Sequence, residues 1–255
     1  MFKITSLLQN NFTYSIEVTP DFNYEENQLG LMPLFYSITW HAKTHMCRDL
    51  NIAPLKLAYK LKENNENVLL HLTCDLLKKS FLDLLLKRLQ ESNDLIKYIR
   101  EMYGDYFCIG VSGYPQNAEG CKKLKQKVDS GADFIITQAI FTGEIFVDFV
   151  KLCRRIEINV PIFPGIFVYH TKDELFKFIE LCKVKIPESL SIDMKTNCNG
   201  LEKSRDIINN VLELEINNYV HFFSLNKCNN INKILNMLSK SESKIKNKTV
   251  KTAFS

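Results

Sequence analysis

The chain has 255 residues, 45% of them hydrophobic and 24% charged, and carries a net charge of +4. That length can bury a large core and, for an α/β barrel, amounts to one domain. The composition excludes disordered and fibrous classes and is that of a soluble globular protein. The positive charge is spread along the chain except in the lysine-rich stretch KSESKIKNKTVK, which has no interleaved aromatic residues and so does not read as a nucleic-acid arm. We expect one barrel domain over residues 1–238 and a basic, disordered tail over 239–255.

The eight cysteines are scattered, with no C-x-x-C pair, and the stretch MFKITSLLQNNF lacks the basic-then-apolar pattern expected of a secretory leader. They read as reduced intracellular thiols, so a cytoplasmic location is expected. No stretch approaches the ~18 apolar residues of a membrane span. Glycine is scarce at 9, and neither G-x-G-x-x-G nor G-x-x-x-x-G-K-[ST] occurs, which removes the main signatures of Rossmann and P-loop folds.

In chain order, short β-rich runs are predicted as strands at 14–18, 34–39, 68–72, 107–112, 134–138, 161–166 and 220–225, with amphipathic helical stretches between most of them. Gly131 is placed to end a helix formed by CKKLKQKVDS. After Thr142, a candidate N-cap, apolar residues recur at helical spacing from Ile145 to Ile156. TKDE at 171–174 has the form of a capping box. Strand and helix in alternation imply a parallel sheet with right-handed crossovers, and seven such strands suggest a (β/α)8 TIM-type barrel. One βα unit is expected to be missing or degenerate: between Thr73 and Phe107 there is room for helices near 76–90 and 94–103, with no strand pattern between them.

In such barrels the site forms at the C-terminal ends of the strands. Here those ends are polar: Ser15, Glu17 and Thr19 share one face, Ser37 and Thr39 another, His71 and Thr73 a third. Gly113 and Tyr114 end a fourth strand, and the run GADFIITQ ends on Gln138. A buried amide costs free energy unless it is hydrogen-bonded, so five polar ends favour one polar-lined mouth.

The order S-I-E-V-T-P, S-I-T-W, H-L-T-C, G-Y-P, K-V-D-S-G-A-D-F-I-I-T-Q, P-I-F-P-G-I-F and H-F-F-S-L-N resembles the methylenetetrahydrofolate reductase family, from about Ser15 to Asn226. The resemblance implies a (β/α)8 barrel that holds FAD, takes a hydride from NADPH or NADH and passes it to 5,10-methylenetetrahydrofolate, giving 5-methyltetrahydrofolate for one-carbon and methionine metabolism. It implies that Glu17 is the general acid. Thr39 falls near the nicotinamide, and Trp40, Ala42, His71, Tyr114 and Lys127 fall on flavin contacts. Gln138 falls on a pterin contact, so a ligand would satisfy its amide, and Lys227 would face an acidic glutamate tail. Assembly as a homo-oligomer is also implied, with no nucleic acid, membrane or metal. HAKTH offers His41 and His45 at i, i+4 but lacks the glutamate of H-E-x-x-H.

The pattern breaks in places. The family's Arg-Gly-Asp-Pro segment at the end of the fourth strand is absent, through a real loss or a skipped segment of the gene. The loop after Tyr114 is short, and HAKTHM replaces a glycine-rich turn. Lysine at 227 keeps the positive charge of the family's arginine but loses its bidentate fork. No regulatory domain is expected after the barrel, and so no control by S-adenosylmethionine. The alternative to an active reductase is a catalytically degenerate member that binds folate or flavin, or associates with an intact subunit.

Overall fold

The computed structural model describes residues 3–8, 11–40, 51–71, 92–117, 120–184, 199–213 and 217–239. Seven parallel strands form one curled sheet: β1 (Thr13–Val18), β2 (Tyr36–Ile38), β3 (Val68–Leu70), β4 (Gly110–Gly113), β5 (Phe134–Ala139), β6 (Ile162–Phe167) and β7 (Tyr219–Phe223). Their order is β3-β2-β1-β7-β6-β5-β4. The helices are α1 (Ala53–Glu63), α2 (Ser92–Tyr103), α3 (Gly120–Asp129), α4 (Gly143–Arg155), α5 (Lys172–Cys182), α6 (Gly200–Glu213) and α7 (228–239). A 3-10 turn at Ile4–Leu7 precedes β1.

Among the described residues this is an α/β barrel of seven strands. All seven predicted strands form, and β3 and β4 lie at the two ends of the ladder. Among the described residues no strand pairs with their outer edges. That gap falls where the sequence lacks a strand pattern. The expected helix near 76–90 lies outside the described residues; the one near 94–103 is α2.

Local chemistry explains the ends of the elements. In α5, Thr171 accepts from the Glu174 N–H while the Glu174 carboxylate accepts from the Thr171 N–H, the reciprocal capping box expected from TKDE. Thr142 holds the N-cap position of α4, but its side chain makes no cap hydrogen bond. After α3, the Gly131 N–H bonds Val128 O at 2.9 Å and the Ala132 N–H bonds Lys127 O at 3.2 Å. That pair of bonds is a Schellman ending, and Gly131 supplies the positive φ of 112° it needs.

Alternation along each strand sorts the two faces of the sheet. Tyr14, Ile16, Val18, Tyr36 and Ile38 face outward into the main core with α1, α4, α6 and α7. Phe35, Phe134 and Phe163 face inward and close the floor of the barrel, their ring centroids 5.6–6.0 Å apart. Burial of these rings supplies much of the drive to curl the sheet, since each removes a large apolar area from water. Above the floor the inward residues turn polar.

Candidate active site

Above the aromatic floor lies a layer of paired side chains. Ser15 on β1 and His221 on β7 are register partners, and Ser15 Oγ lies 2.8 Å from His221 Nδ1. The His221 ring also stacks on Phe35, so it is fixed from below. Ser37 on β2, the register partner of Glu17, bonds Nε2 of His71 just past β3. Glu17 Oε2 lies 3.9 Å from His71 Nδ1. The three strands bring Glu17, Ser37 and His71 together because period-2 alternation puts all of them on the inner face.

A cavity of about 250 Å³ opens above this layer, lined by Glu17, His71, Ser112, Gln138, His221 and Phe223, with other residues of β3, β4 and β5. Its walls include both end strands of the sheet, β3 and β4. Burial pushes the Glu17 carboxyl up to about 8 and holds His71 down at about 4. Burial, with the neighbouring His71, takes His221 to about 3. At neutral pH the acid is therefore protonated and both imidazoles are neutral. The site stores a proton without storing a charge.

The end of β1 is clamped. Ser224 Oγ donates to Glu17 O at 2.6 Å, and the Thr19 N–H donates to Asn226 Oδ1 at 2.9 Å. Leu225 and Asn226 both have positive φ, at 46° and 61°, a strained turn for a leucine. On the other side, the ladder of β5 and β6 is irregular between Ile136 and Ala139. A Cβ on Gly165 would stand 2.3 Å from Thr137 O and 2.5 Å from the Phe223 ring, so only glycine admits this bulge beside the mouth.

The remaining expected residues are spread around this centre. The Gln138 side chain lines the cavity, but its Oε1 accepts the Ala139 N–H at 2.9 Å, so half of the amide is satisfied by its own strand. Thr39 donates to Val18 O at 3.2 Å and ties β2 to β1. Trp40 follows Thr39 and is partly buried. Tyr114 is half-exposed and lines three cavities in turn. Lys127 lies in one of these, about 180 Å³, with Asn117 and Lys123 on α3. Lys227 stands apart, paired with Glu174 Oε1 at 2.5 Å. Burial opposes the charge of Glu174, yet the His170 N–H, Lys227 and the Thr171 N–H together hold its carboxyl down at about 2. Ala42, His41, His45 and Thr73 lie outside the described residues.

Sequence reasoning missed the partners. His221, Ser224 and Asn226 sit in the stretch HFFSLN, whose alternating polar residues were the available signal. The placement of α5 was also missed. Its Leu175 and Phe178 pack on Phe167 and beside Phe223, at the C-terminal ends of β6 and β7, and so cover one side of the mouth. Cys182 at its end lines a cavity of about 360 Å³ with Gln138 and Tyr114. Burial and the neighbouring Glu17 raise that thiol to about 11, so it is neutral. Among the described residues, no group of three or more His, Cys, Asp and Glu side chains is placed to hold a metal ion. No helix among them is long and apolar enough to cross a membrane.

An open (β/α) barrel with a buried, protonated carboxyl at its C-terminal mouth defines a class suited to acid-assisted chemistry on a small molecule. The comparisons narrow the class. The family model described as methylenetetrahydrofolate reductase matches residues 86–239. The methylenetetrahydrofolate reductase 1 of Schizosaccharomyces pombe is 31% identical over 191 residues, covering 61% of this chain and 31% of that protein. A probable methylenetetrahydrofolate reductase (NADH) of Oryza sativa is 42% identical over 114 residues, covering 38% of this chain and 19% of the relative. The methylenetetrahydrofolate reductase 2 of Saccharomyces cerevisiae is 29% identical over 223 residues, covering 71% and 36%. An uncharacterized protein from Clostridium thermocellum, described as binding two copies of 5-methyl-5,6,7,8-tetrahydrofolic acid, shares the fold at TM-score 0.61 and 17% identity, over 84% of this chain and 89% of that one. The chain belongs to the methylenetetrahydrofolate reductase family. It spans between 19% and 36% of the length of the three curated relatives just named.

Proposed function

We propose that the chain reduces 5,10-methylenetetrahydrofolate to 5-methyltetrahydrofolate with NADPH or NADH as hydride donor, in the one-carbon and methionine metabolism of the cytoplasm. The observation that carries this reading is Glu17, a carboxyl kept protonated by burial and aimed into a cavity shared with Gln138. Glu17 protonates the folate, which opens the methylene bridge to an iminium carbon able to accept hydride. An acid titrating near 8 holds its proton at neutral pH and still releases it to a nitrogen base. Gln138 orients the pterin through the part of its amide that the Ala139 N–H leaves free.

The residues present fit FAD in two places. Apolar walls from Leu69, Ile136 and Phe223 beside His71 suit a flat ring system, and Lys127 with Lys123 suits a pyrophosphate. Tyr114 lines both cavities and joins them. Thr39, Trp40 and Ala42 complete the set implied by the resemblance. When bound, FAD would hold the hydride between donor and folate. Lys227 recognises a glutamate tail only by leaving Glu174. Oligomeric assembly, and the division into a barrel over 1–238 and a tail over 239–255, belong to the same proposal.

The test is stopped-flow kinetics on the wild type and Glu17→Gln. The variant should lose folate reduction and keep flavin reduction by NAD(P)H, because only the second step needs the proton. Unchanged rates in both steps would remove Glu17 from its role. A second reading, a degenerate folate- or flavin-binding member, is favoured by the outer edges of β3 and β4, with which no strand pairs among the described residues. A wild type with no turnover but saturable folate binding would favour it.

A further inference from the structure

We propose that Ser37 is a positioning residue for Glu17: its hydroxyl donates to Nε2 of His71, which places the imidazole proton on Nδ1, facing the Glu17 carboxyl. This rests on the reading of Glu17 as the acid. Ser37 is fully buried, and among the described residues its Oγ has His71 Nε2 as its one hydrogen-bond partner. A buried hydroxyl that donates to nothing carries a desolvation cost. If His71 carried its proton on Nε2, Ser37 could only accept, and among the described residues its own hydrogen would be left without an acceptor. The neutral tautomer with hydrogen on Nδ1 satisfies both groups.

The consequence lies on the far side of the ring. At 3.9 Å, Nδ1 and Glu17 Oε2 are too far apart for a hydrogen bond while the acid is protonated. Once Glu17 has given up its proton, the carboxylate faces an N–H donor in a site of low polarity, and a small shift closes the bond. A donor that strengthens only as charge develops assists the step without stabilising its starting state. In the opposite tautomer Nδ1 would accept, drawing the Glu17 proton away from the cavity and repelling the carboxylate. Among the described residues, two other groups bear on His71. The carboxyl of Glu17 is the titratable group at its face, and the neutral His221, held by Ser15 and stacked on Phe35, acts at longer range. Ser37 itself is walled off from the cavity, so it orients and does not relay protons.

The test is the imidazole tautomer, read by long-range proton–nitrogen correlation on histidine-labelled protein without ligands. The wild type should show His71 with hydrogen on Nδ1, and Ser37→Ala should shift part of the population to Nε2. The titration midpoint of Glu17, followed by carboxyl-carbon shifts, should rise in Ser37→Ala because the anion loses its oriented donor. Hydrogen on Nε2 in the wild type overturns the proposal, and this result needs no variant to fold. An unchanged tautomer in a folded Ser37→Ala protein also overturns it. In turnover, Ser37→Ala should lower kcat for folate reduction about tenfold, with KM and flavin reduction unchanged; equal losses in both half-reactions would overturn it. The tautomer is read whether or not the protein turns over. A wild type without activity therefore counts against the proposed function, while the positioning role stands or falls on the spectrum.

Discussion

Glu17 illustrates how one residue can set the pH behaviour of the whole protein. Its carboxyl titrates at about 8 in the folded state, above its ordinary 4.5. The folded protein therefore holds this proton more tightly than the unfolded chain does. The stability this gives is fully present below pH 4.5 and is lost as pH rises through about 8. His71 works in the other direction. Lowered from 6.5 to about 4, it favours folding above pH 6.5 and costs stability as pH falls through about 4. In Glu17→Gln the alkaline loss should vanish, so its melting temperature should gain on the wild type steadily from pH 5 to pH 8.5. A constant difference across that range would mean that Glu17 titrates normally. Gln138→Ala should weaken folate binding by about 1–3 kcal/mol, the usual cost of leaving a desolvated partner unpaired; calorimetry would detect it. Residue parity made Glu17, His71 and Gln138 legible in the sequence, since alternation alone puts them on the inner face. The contacts between them were not legible. Ser37 meets His71 only because β2 and β3 pair in one particular register, and no short stretch of sequence encodes that register.

At the scale of elements, α5 illustrates a different limit. Its capping box and apolar stripe were readable, and the helix forms where TKDE placed it. Its position was not readable, because the same stripe would serve a helix on the outside of the barrel. The partners decide: Phe178 stacks on Phe167 at 4.0 Å and packs near Phe223, at the strand ends rather than along their outer face. Phe178→Ala should cost about 3–5 kcal/mol, the range for emptying a fully buried aromatic site. It should also make Cys182 react faster with thiol reagents; unchanged labelling would place α5 elsewhere. Thr171→Ala should cost about 1 kcal/mol through the lost cap. Lys227→Ala should shift the melting temperature little, since a half-exposed ion pair contributes at most about 1 kcal/mol.

For the whole molecule, the gap between β3 and β4 governs how much cofactor the barrel can hold. The cavities around Tyr114 offer Lys127 at one end and His71 at the other, but the outer edges of β3 and β4 have no strand beside them among the described residues. We expect the purified chain to carry much less than one flavin after desalting, measured by its visible absorbance against protein concentration. Added FAD should raise the melting temperature only at high concentration, as mass action requires of a weak ligand. Full occupancy after desalting would mean that the barrel encloses the cofactor despite the gap between β3 and β4.

The pairing of β1 with β7 has a consequence in time. Ser15 and His221 are separated by 206 residues of chain, and the clamp on Glu17 comes from Ser224 and Asn226 just beyond. On a ribosome adding ~5–20 residues per second, β1 emerges some 10–40 s before the strand that will hold it. Throughout that interval Glu17 has no floor beneath it and no turn fastened to its carbonyl, and its carboxyl behaves as it would in water. Contacts so distant along the chain are also the slowest to form. The acid is translated 206 residues ahead of its partner strand and acquires its chemistry only when that strand arrives.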